Sequence, residues 1–306
     1  MPNLSVDPND ALIDSSAASA LDHFARVLLD RSVWVYRRLE AGQRHHINLQ
    51  EETITEDLLL DIAIAAPGLL VRQFTKPQEG RNGADWEWEW WFGGERWFGV
   101  RIQAKKLRRD AANTDPSYHL DYHVGGNPNN ELQLDRLRRQ AREDGIAAVY
   151  VFYNGPELAE LPIPWSCERL SENDEAFGVS YLSAEVVDQF VREGSHDPRT
   201  VASASRPWPC LVNCPPGRFC HRQSAPLDPT PLPLDEAVAW NLFTTVTQSP
   251  SPNGTQRNPN AYLQDRLRRY RHNAPPEYVQ ALVNGSSGID ELLRPSVQAV
   301  SVFVQQ

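Results

Sequence analysis

Two short runs carry the side chains with chemistry in them. In DWEWEW, Asp85, Glu87 and Glu89 alternate with Trp86, Trp88 and Trp90, and in RIQAK, Arg101, Gln103 and Lys105 alternate with Ile102 and Ala104. Alternation of this kind is the period of a β-strand, with successive side chains on opposite faces. Gly93-Gly94-Glu95 between the runs is a turn signal, so the two strands are expected to form a hairpin. A three-residue loop there pairs Trp86 with Ile102, Trp88 with Val100 and Trp90 with Phe98, a wholly apolar face. On the other face Asp85 meets Gln103, Glu87 meets Arg101 and Glu89 meets Gly99, with Lys105 following Gln103 on the same side. A slip of one residue would exchange the faces, and the apolar match argues against it.

This pairing separates the three acids. Glu87 has a cross-strand arginine, a pairing that contributes roughly 0.2–1 kcal/mol, and Glu89, nearest the turn, is expected to be solvated. Asp85 faces an amide with a lysine close by. A carboxylate and an amide oxygen converging there suit a hard divalent cation, magnesium or manganese, which takes oxygen ligands. Lys105 would orient or deprotonate an attacking water, or stabilise charge on a phosphate. A plain polar surface hairpin is the competing reading. The tryptophans, facing Ile102, Val100 and Phe98, read as core rather than as a stacking platform.

The elements that must position these residues follow from periodicity. Residues 1 to 15 read as a loose terminus, and Leu21 to Leu39 as an amphipathic helix. A further helix begins near Thr55, with Glu56 and Asp57 at its positive end, and stops at Pro67-Gly68. LLVRQFTK (69 to 76) is a strand, then come the hairpin, a helix in NELQLDRLRRQAREDG, and the buried strand IAAVYVFYN (146 to 154). Beyond Gly155-Pro156 prolines cluster. There VSYLSAEVVDQFV reads as strand then helix, LPLDEAVAWNLFTTV as a helix, 248 to 260 as a loop, 261 to 272 as a basic helix and VQAVSVFVQ as a strand. The chain therefore divides into an N-terminal helical segment (1–45), an α/β core (46–155) and a Pro-rich α+β C-terminal region (156–306).

The 306 residues suffice for a substantial core, with 41% hydrophobic and 23% charged residues. A net charge of -10 repels nucleic acid as a whole, so any such role must rest on local basic patches. Two exist: Arg96 to Arg109, and Arg136, Arg138, Arg139 and Arg142 on the helix after the hairpin, where interleaved acids make a solvated face the competing reading. The most apolar stretch, Leu58 to Val71, is broken by Asp61 and Pro67, which argues against a membrane span. No signal peptide is evident, and four cysteines without one imply reduced thiols and a cytoplasmic protein.

GAD, a hairpin and then QAK resemble the PD-(D/E)XK nucleases in the Mrr-like variant, where glutamine replaces the second acid. The longer string EETITEDLLL … FTK … GADWEW … RWFGVRIQAKKL … QLDRL … YVFYN looks like a bacterial family of unknown function assigned to that superfamily by pattern. The resemblance covers about residues 50 to 154 and implies a restriction endonuclease-like αβββαβ core, a mixed central sheet flanked by helices, with a C-terminal extension. It implies Asp85 as metal-binding aspartate, Gln103 as second ligand and Lys105 as catalytic lysine. It adds a glutamate from the preceding helix, here Glu52 with Glu51 and Glu56 as alternatives, and a glutamine from the following helix, Gln133, for which an exposed helix position is the competing reading. The run WEWEWW is two residues longer than the family pattern, an insertion that preserves the faces. The activity implied is metal-dependent phosphodiester hydrolysis, in DNA and within a defence system. The alternative is an inactive member of the fold that binds nucleic acid or protein.

Cys210, Cys214, Cys220 and His221 have the spacing C-x3-C-x5-C-H, which admits a structural zinc, with Cys167 as another ligand. The pattern lacks a C-x2-C pair and contains Pro215-Pro216, so reduced structural cysteines compete with it. His45-His46, His119 and His123 have no partners at convincing spacing.

Overall fold

The structure, a computed structural model, describes residues 8–66, 68–73, 87–109, 116–159, 161, 163, 166–167, 170, 173–212, 234–248, 259–286, 292 and 297–304; side chains at 8–20, 244–248, 259–260 and 263 are left aside. Asp85, Trp86, Cys214, Cys220 and His221 lie outside the described residues. The helices are α1 (Pro8–Arg44), α2 (Glu51–Ala65), α3 (Gln133–Glu143), α4 (Ala184–Glu193), α5 (Pro198–Ala204), α6 (Leu234–Gln248), α7 (Pro259–Tyr270) and α8 (Glu277–Val283). The strands are β1 (Leu69–Gln73), β2 (Glu87–Gly93), β3 (Trp97–Lys106), β4 (Ala147–Tyr153), β5 (Val179–Ser183), β6 (Arg206–Pro207), β7 (Arg271–His272) and β8 (Ala299–Val304). From α2 to β4 the order is helix, three strands, helix, strand, as expected.

The fold is α/β, built on one mixed sheet of order β1-β8-β2-β3-β4-β5-β6, with β7 paired to the start of β3. β2 and β8 run parallel, as do β3 and β4, and the remaining neighbours are antiparallel. β8, near the C-terminus, lies between β1 and β2, and β5 and β6 extend the sheet beyond β4. Strands from both sides of residue 155 thus share one sheet.

Both faces are covered, which explains why β2 and β3 are buried almost throughout. One face carries Trp88, Trp90, Phe98, Val100 and Ile102 and packs in a common core with α1, α2 and α6, as the expected apolar face requires. Trp90 stacks on Trp208 at 5.2 Å between ring centroids and lies 6.0 Å from Phe24 of α1. The other face packs under α3 and α4 through Leu134, Leu137, Tyr150 and Phe152, and with α8 through Trp91, Val279 and Val302. Gly178 lets α1 approach: a Cβ there would lie 2.1 Å from the Ser32 carbonyl oxygen. Among the described residues no helix is long and apolar enough to cross a membrane.

Three local expectations change. α1 begins at Pro8 instead of near Leu21, because proline is tolerated in the first turn of a helix and the polar residues after it do not break one. α2 begins at Glu51, placing Thr55 inside the helix, where its hydroxyl donates to the Glu51 carbonyl at 2.8 Å and meets the Tyr153 hydroxyl at 2.7 Å. The hairpin is shifted by two residues. Its loop is Gly94-Glu95-Arg96, closed by Gly94 N–H donating to the Arg96 carbonyl at 3.1 Å, and Gly93 stays in the strand opposite Trp97. The Trp97 ring lies across Gly93, where a Cβ would be 2.5 Å from it, so glycine is needed as a strand residue rather than for the turn. The faces are those expected, but the pairs become Glu87 with Gln103, Trp88 with Ile102, Glu89 with Arg101 and Trp90 with Val100.

Candidate functional site

Glu87, Glu89, Arg101, Gln103 and Lys105 share the sheet face that faces α3 and α8, and none is more than 6% exposed. The reading of this face as a solvated hairpin surface is therefore corrected: the acids here sit inside the fold. β2 and β3 set their spacing, and the register makes Glu87 the direct neighbour of Gln103, at the pair position expected for Asp85.

Lys105, two residues beyond Gln103, is oriented by a neighbour from another element. Its ammonium donates to the Gln133 amide oxygen at 2.5 Å and lies 5.6 Å from the centre of the Tyr122 ring. Gln133 is the first residue of α3, 5% exposed, and its backbone N–H donates to the Tyr122 carbonyl at 3.0 Å. An exposed position for Gln133 is thus excluded. Tyr122 is 40% exposed and forms the solvent side of this corner. No local pattern in the sequence points to Tyr122; it arrives through the loop that precedes α3.

The glutamates of the first turn of α2 divide. Glu51 reaches the end of β3, accepting from the Lys106 backbone N–H at 3.0 Å and from the Arg108 guanidinium at 2.8 Å. Glu52, the first choice from sequence, is exposed, and Glu56 accepts from Gln73 at 2.9 Å. Lys106 points to the opposite face from Lys105 and donates to Asn48 Oδ1 at 2.6 Å and to the Leu49 carbonyl. Burial, then the charge of Arg108, holds the Lys106 ammonium below its ordinary pKa. Adjacent lysines on a strand thus have separate duties: one enters the candidate site and one ties down the loop before α2.

Next along the same face is a buried charge network. The Arg101 guanidinium donates to Glu89 Oε1 and, at 2.7 Å, to Asp144 Oδ2 at the end of α3. Glu89 Oε2 accepts from Trp91 Nε1 at 3.0 Å and from the Tyr278 hydroxyl of α8 at 2.5 Å. Burial pulls the Arg101 pKa down, but the charges of Glu89, Glu87 and Asp144 outweigh it and hold it above its usual value. Burial, then the Glu89 charge, pushes the Tyr278 phenol up. Arg101 therefore belongs to Glu89, not to Glu87, and Glu89 is not solvated. Glu87 stands directly across from Gln103 in the register.

The donor set that Glu87 and Gln103 present is carboxylate and amide oxygen, which fits a hard cation such as magnesium or manganese better than a soft one. Among the described residues no three of His, Cys, Asp and Glu form a metal-sized group. Cys210 Sγ and Cys167 Sγ, two of the ligands named in the zinc expectation, are 3.5 Å apart, both buried. Cys214, Cys220 and His221 of the zinc expectation lie outside the described residues. His119 has a left-handed backbone (φ 49°), and His123 Nδ1 is 2.7 Å from the Asn130 carbonyl, neither being in a helix.

Comparison with curated proteins found no match, and comparison with solved structures found none. One family model does match, over residues 24–305, so the core and the strands that follow residue 155 fall in one family unit. The chain belongs to this family, DUF6615, a family of unknown function.

Proposed function

We propose that the chain is a metal-dependent nuclease that hydrolyses phosphodiester bonds, with DNA as substrate and a role in defence. The observation that carries this reading is the buried corner where Glu87 faces Gln103 and Lys105 is held by Gln133. Desolvating an ammonium and a carboxylate costs several kcal/mol per ion in a protein interior. Buried charges set in a corner by partners from two elements are candidates for a functional site.

Glu87 and Gln103 would hold magnesium or manganese through oxygen, with Asp85 retained as a ligand on sequence grounds alone. Of the α2 acids, Glu52 is exposed and Glu51 is held at the end of β3 by the Lys106 N–H and the Arg108 guanidinium, on the side of Lys106 rather than of Lys105, so neither is counted in this ligand set. The bound ion would supply Lewis acidity toward a phosphate oxygen and lower the pKa of water. Lys105 offers a fixed positive charge for the negative charge that grows on the phosphate, and Gln133 keeps its Nζ in place. The surrounding burial lowers the local dielectric and strengthens that interaction. Tyr122 screens the ammonium from solvent on one side.

The test is nicking of supercoiled plasmid with magnesium or manganese. Lys105→Ala and Glu87→Ala are expected to abolish it while far-UV circular dichroism and the melting temperature show a folded protein. Cleavage that survives in both folded variants sinks the proposal. A non-catalytic binding module is the second reading, favoured by the net charge of -10 and by glutamine at 103 in place of an acid. Salt-dependent DNA binding without metal-dependent turnover would select it.

A further inference from the structure

The end of α3 remote from Gln133 meets α7 at a small cavity of about 50 Å³. Arg138 and Arg142 line it from α3, and Arg266 and Arg269 line it from α7. Glu185 is the one carboxylate lining it among the described residues, and Phe243 closes its apolar side. Four guanidinium groups around one cavity are unexpected in a chain of net charge -10. They repel each other, and carboxylates reach three of the four. Arg266 pairs with Glu185 at 2.7 Å, Arg138 with Asp188 at 2.9 Å and with Asp135 at 3.8 Å, and Arg269 with Asp265 at 3.6 Å, while Arg142 has no carboxylate within ion-pair distance among the described residues.

A second observation concerns Arg266. Its guanidinium lies 4.8 Å from the centre of the Tyr262 ring and 5.9 Å from that of Phe243, so its plane is held by aromatic contacts. Its Nε–H is buried and has no hydrogen-bond acceptor among the described residues. A buried donor without an acceptor costs roughly 1–3 kcal/mol, more for a charged group. An oxyanion in the cavity would supply the acceptor. The cavity holds roughly three or four times the minimum that a water needs, and arginine forks match the paired oxygens of phosphate.

We infer that the α3–α7 cleft binds a phosphate group. The geometry serves either a phosphate of a nucleic-acid strand or a free phosphate, and both present the same tetrahedral oxygens. The cleft lies next to Ile146, which precedes β4, whereas Lys105 pairs with Phe152 near the other end of β4. α3 spans the interval, roughly 15 Å over its length. The cleft is therefore separate from the Lys105 corner, and the inference does not depend on hydrolysis.

The test uses the full chain in EDTA, so that no metal chemistry contributes. Anisotropy of a fluorescein-labelled single-stranded oligonucleotide is titrated over a salt series, and melting is followed with inorganic phosphate, for the wild type and for Arg142→Glu/Arg269→Glu. Both substituted residues are exposed, so the fold is not at stake. For a strand phosphate, the double variant is expected to bind the oligonucleotide at least roughly tenfold more weakly, about the effect of removing one charge-assisted hydrogen bond. Its salt slope should fall by about 0.7 for each phosphate that is no longer neutralised. For a free phosphate, the oligonucleotide is indifferent but inorganic phosphate raises the wild-type melting temperature and not that of the variant. Equal oligonucleotide binding and equal phosphate response in the two proteins overturn the inference. Plasmid cleavage lost in Lys105→Ala reports on the nuclease proposal separately, whichever way the cleft behaves.

Discussion

The register decides which acid pairs with Arg101, and a double-mutant cycle can measure it. Arg101 and Glu89 are 1% and 0% exposed, so substitution of either acts on a dry interaction. Arg101→Met removes the guanidinium and leaves Glu89 and Asp144 without their shared cation. Breaking a buried pair this way costs about 3–5 kcal/mol. Glu89→Gln keeps an acceptor for Trp91 and Tyr278 and leaves Arg101 paired with Asp144. Its cost is therefore smaller, about 1.5–3 kcal/mol, the loss of a charge-assisted hydrogen bond. In the double variant most of the Arg101→Met penalty at Glu89 disappears, because no uncompensated charge remains there. The expected coupling is about 2 kcal/mol, within the range for directly contacting residues. Glu87→Gln combined with Arg101→Met should give a coupling below about 1 kcal/mol, since Glu87 influences Arg101 only through its charge. Equilibrium urea unfolding of the full chain at pH 7 provides all the values, with the m-value checked for constancy. A larger coupling for Glu87 than for Glu89, or simple additivity at Glu89, would refute the register and the assignment of Glu87 to the candidate site.

Other consequences can be checked with simpler variants. On the proposed nuclease reading, Gln133→Leu should lower plasmid cleavage through kcat rather than KM, because Gln133 orients Lys105; an unchanged kcat refutes its positioning role. Gly93→Ala should cost about 1–3 kcal/mol, an overpacking penalty, because the new Cβ would meet the Trp97 ring; a neutral result in thermal melting contradicts the packing. The phenols of Tyr118, Tyr153 and Tyr278 are all raised above 10.0 by burial, and in Tyr278 next by Glu89. The folded state then keeps protons that the unfolded chain releases above pH 10, so stability is intact below pH 10 and falls as the pH rises. Tyrosinate absorbance at 295 nm should show these phenols ionising only as the protein unfolds. Deleting residues 297–306 removes β8, the sheet partner of β1 and one of the two partners of β2, so cooperative unfolding should be lost; a cooperative melt of the truncated chain would refute the role given to β8.

Much of this was legible where the signal is local. The alternation in β2 and β3 placed Trp88, Trp90, Val100 and Ile102 on one face and Glu87, Glu89, Arg101, Gln103 and Lys105 on the other, because a strand period survives any even shift. The order of elements from α2 to β4 followed from hydrophobic spacing and from Gly and Pro punctuation. The exact cross-strand partner was not legible, since Gly93-Gly94-Glu95 and Gly94-Glu95-Arg96 are equally good loops. The choice between them falls to the Trp97 ring, which needs the glycine beside it.

What was hidden is what depends on distant chain. The run AVSVFV announces a buried strand, but nothing in it says that it will enter between β1 and β2 and run parallel to β2. Tyr278 is 189 residues from the Glu89 carboxylate it meets, and α8 carries it to a face that otherwise looks like solvent-facing hairpin. Coverage by α3 and α8 converts that face from a polar surface into a place where charge must be matched or used. Arg101, Trp91 and Tyr278 together satisfy Glu89, while Lys105 donates to Gln133 at the opposite end. Glu87 and Glu89 are equivalent in sequence and become different only through long-range partners, which the register and the covering helices supply.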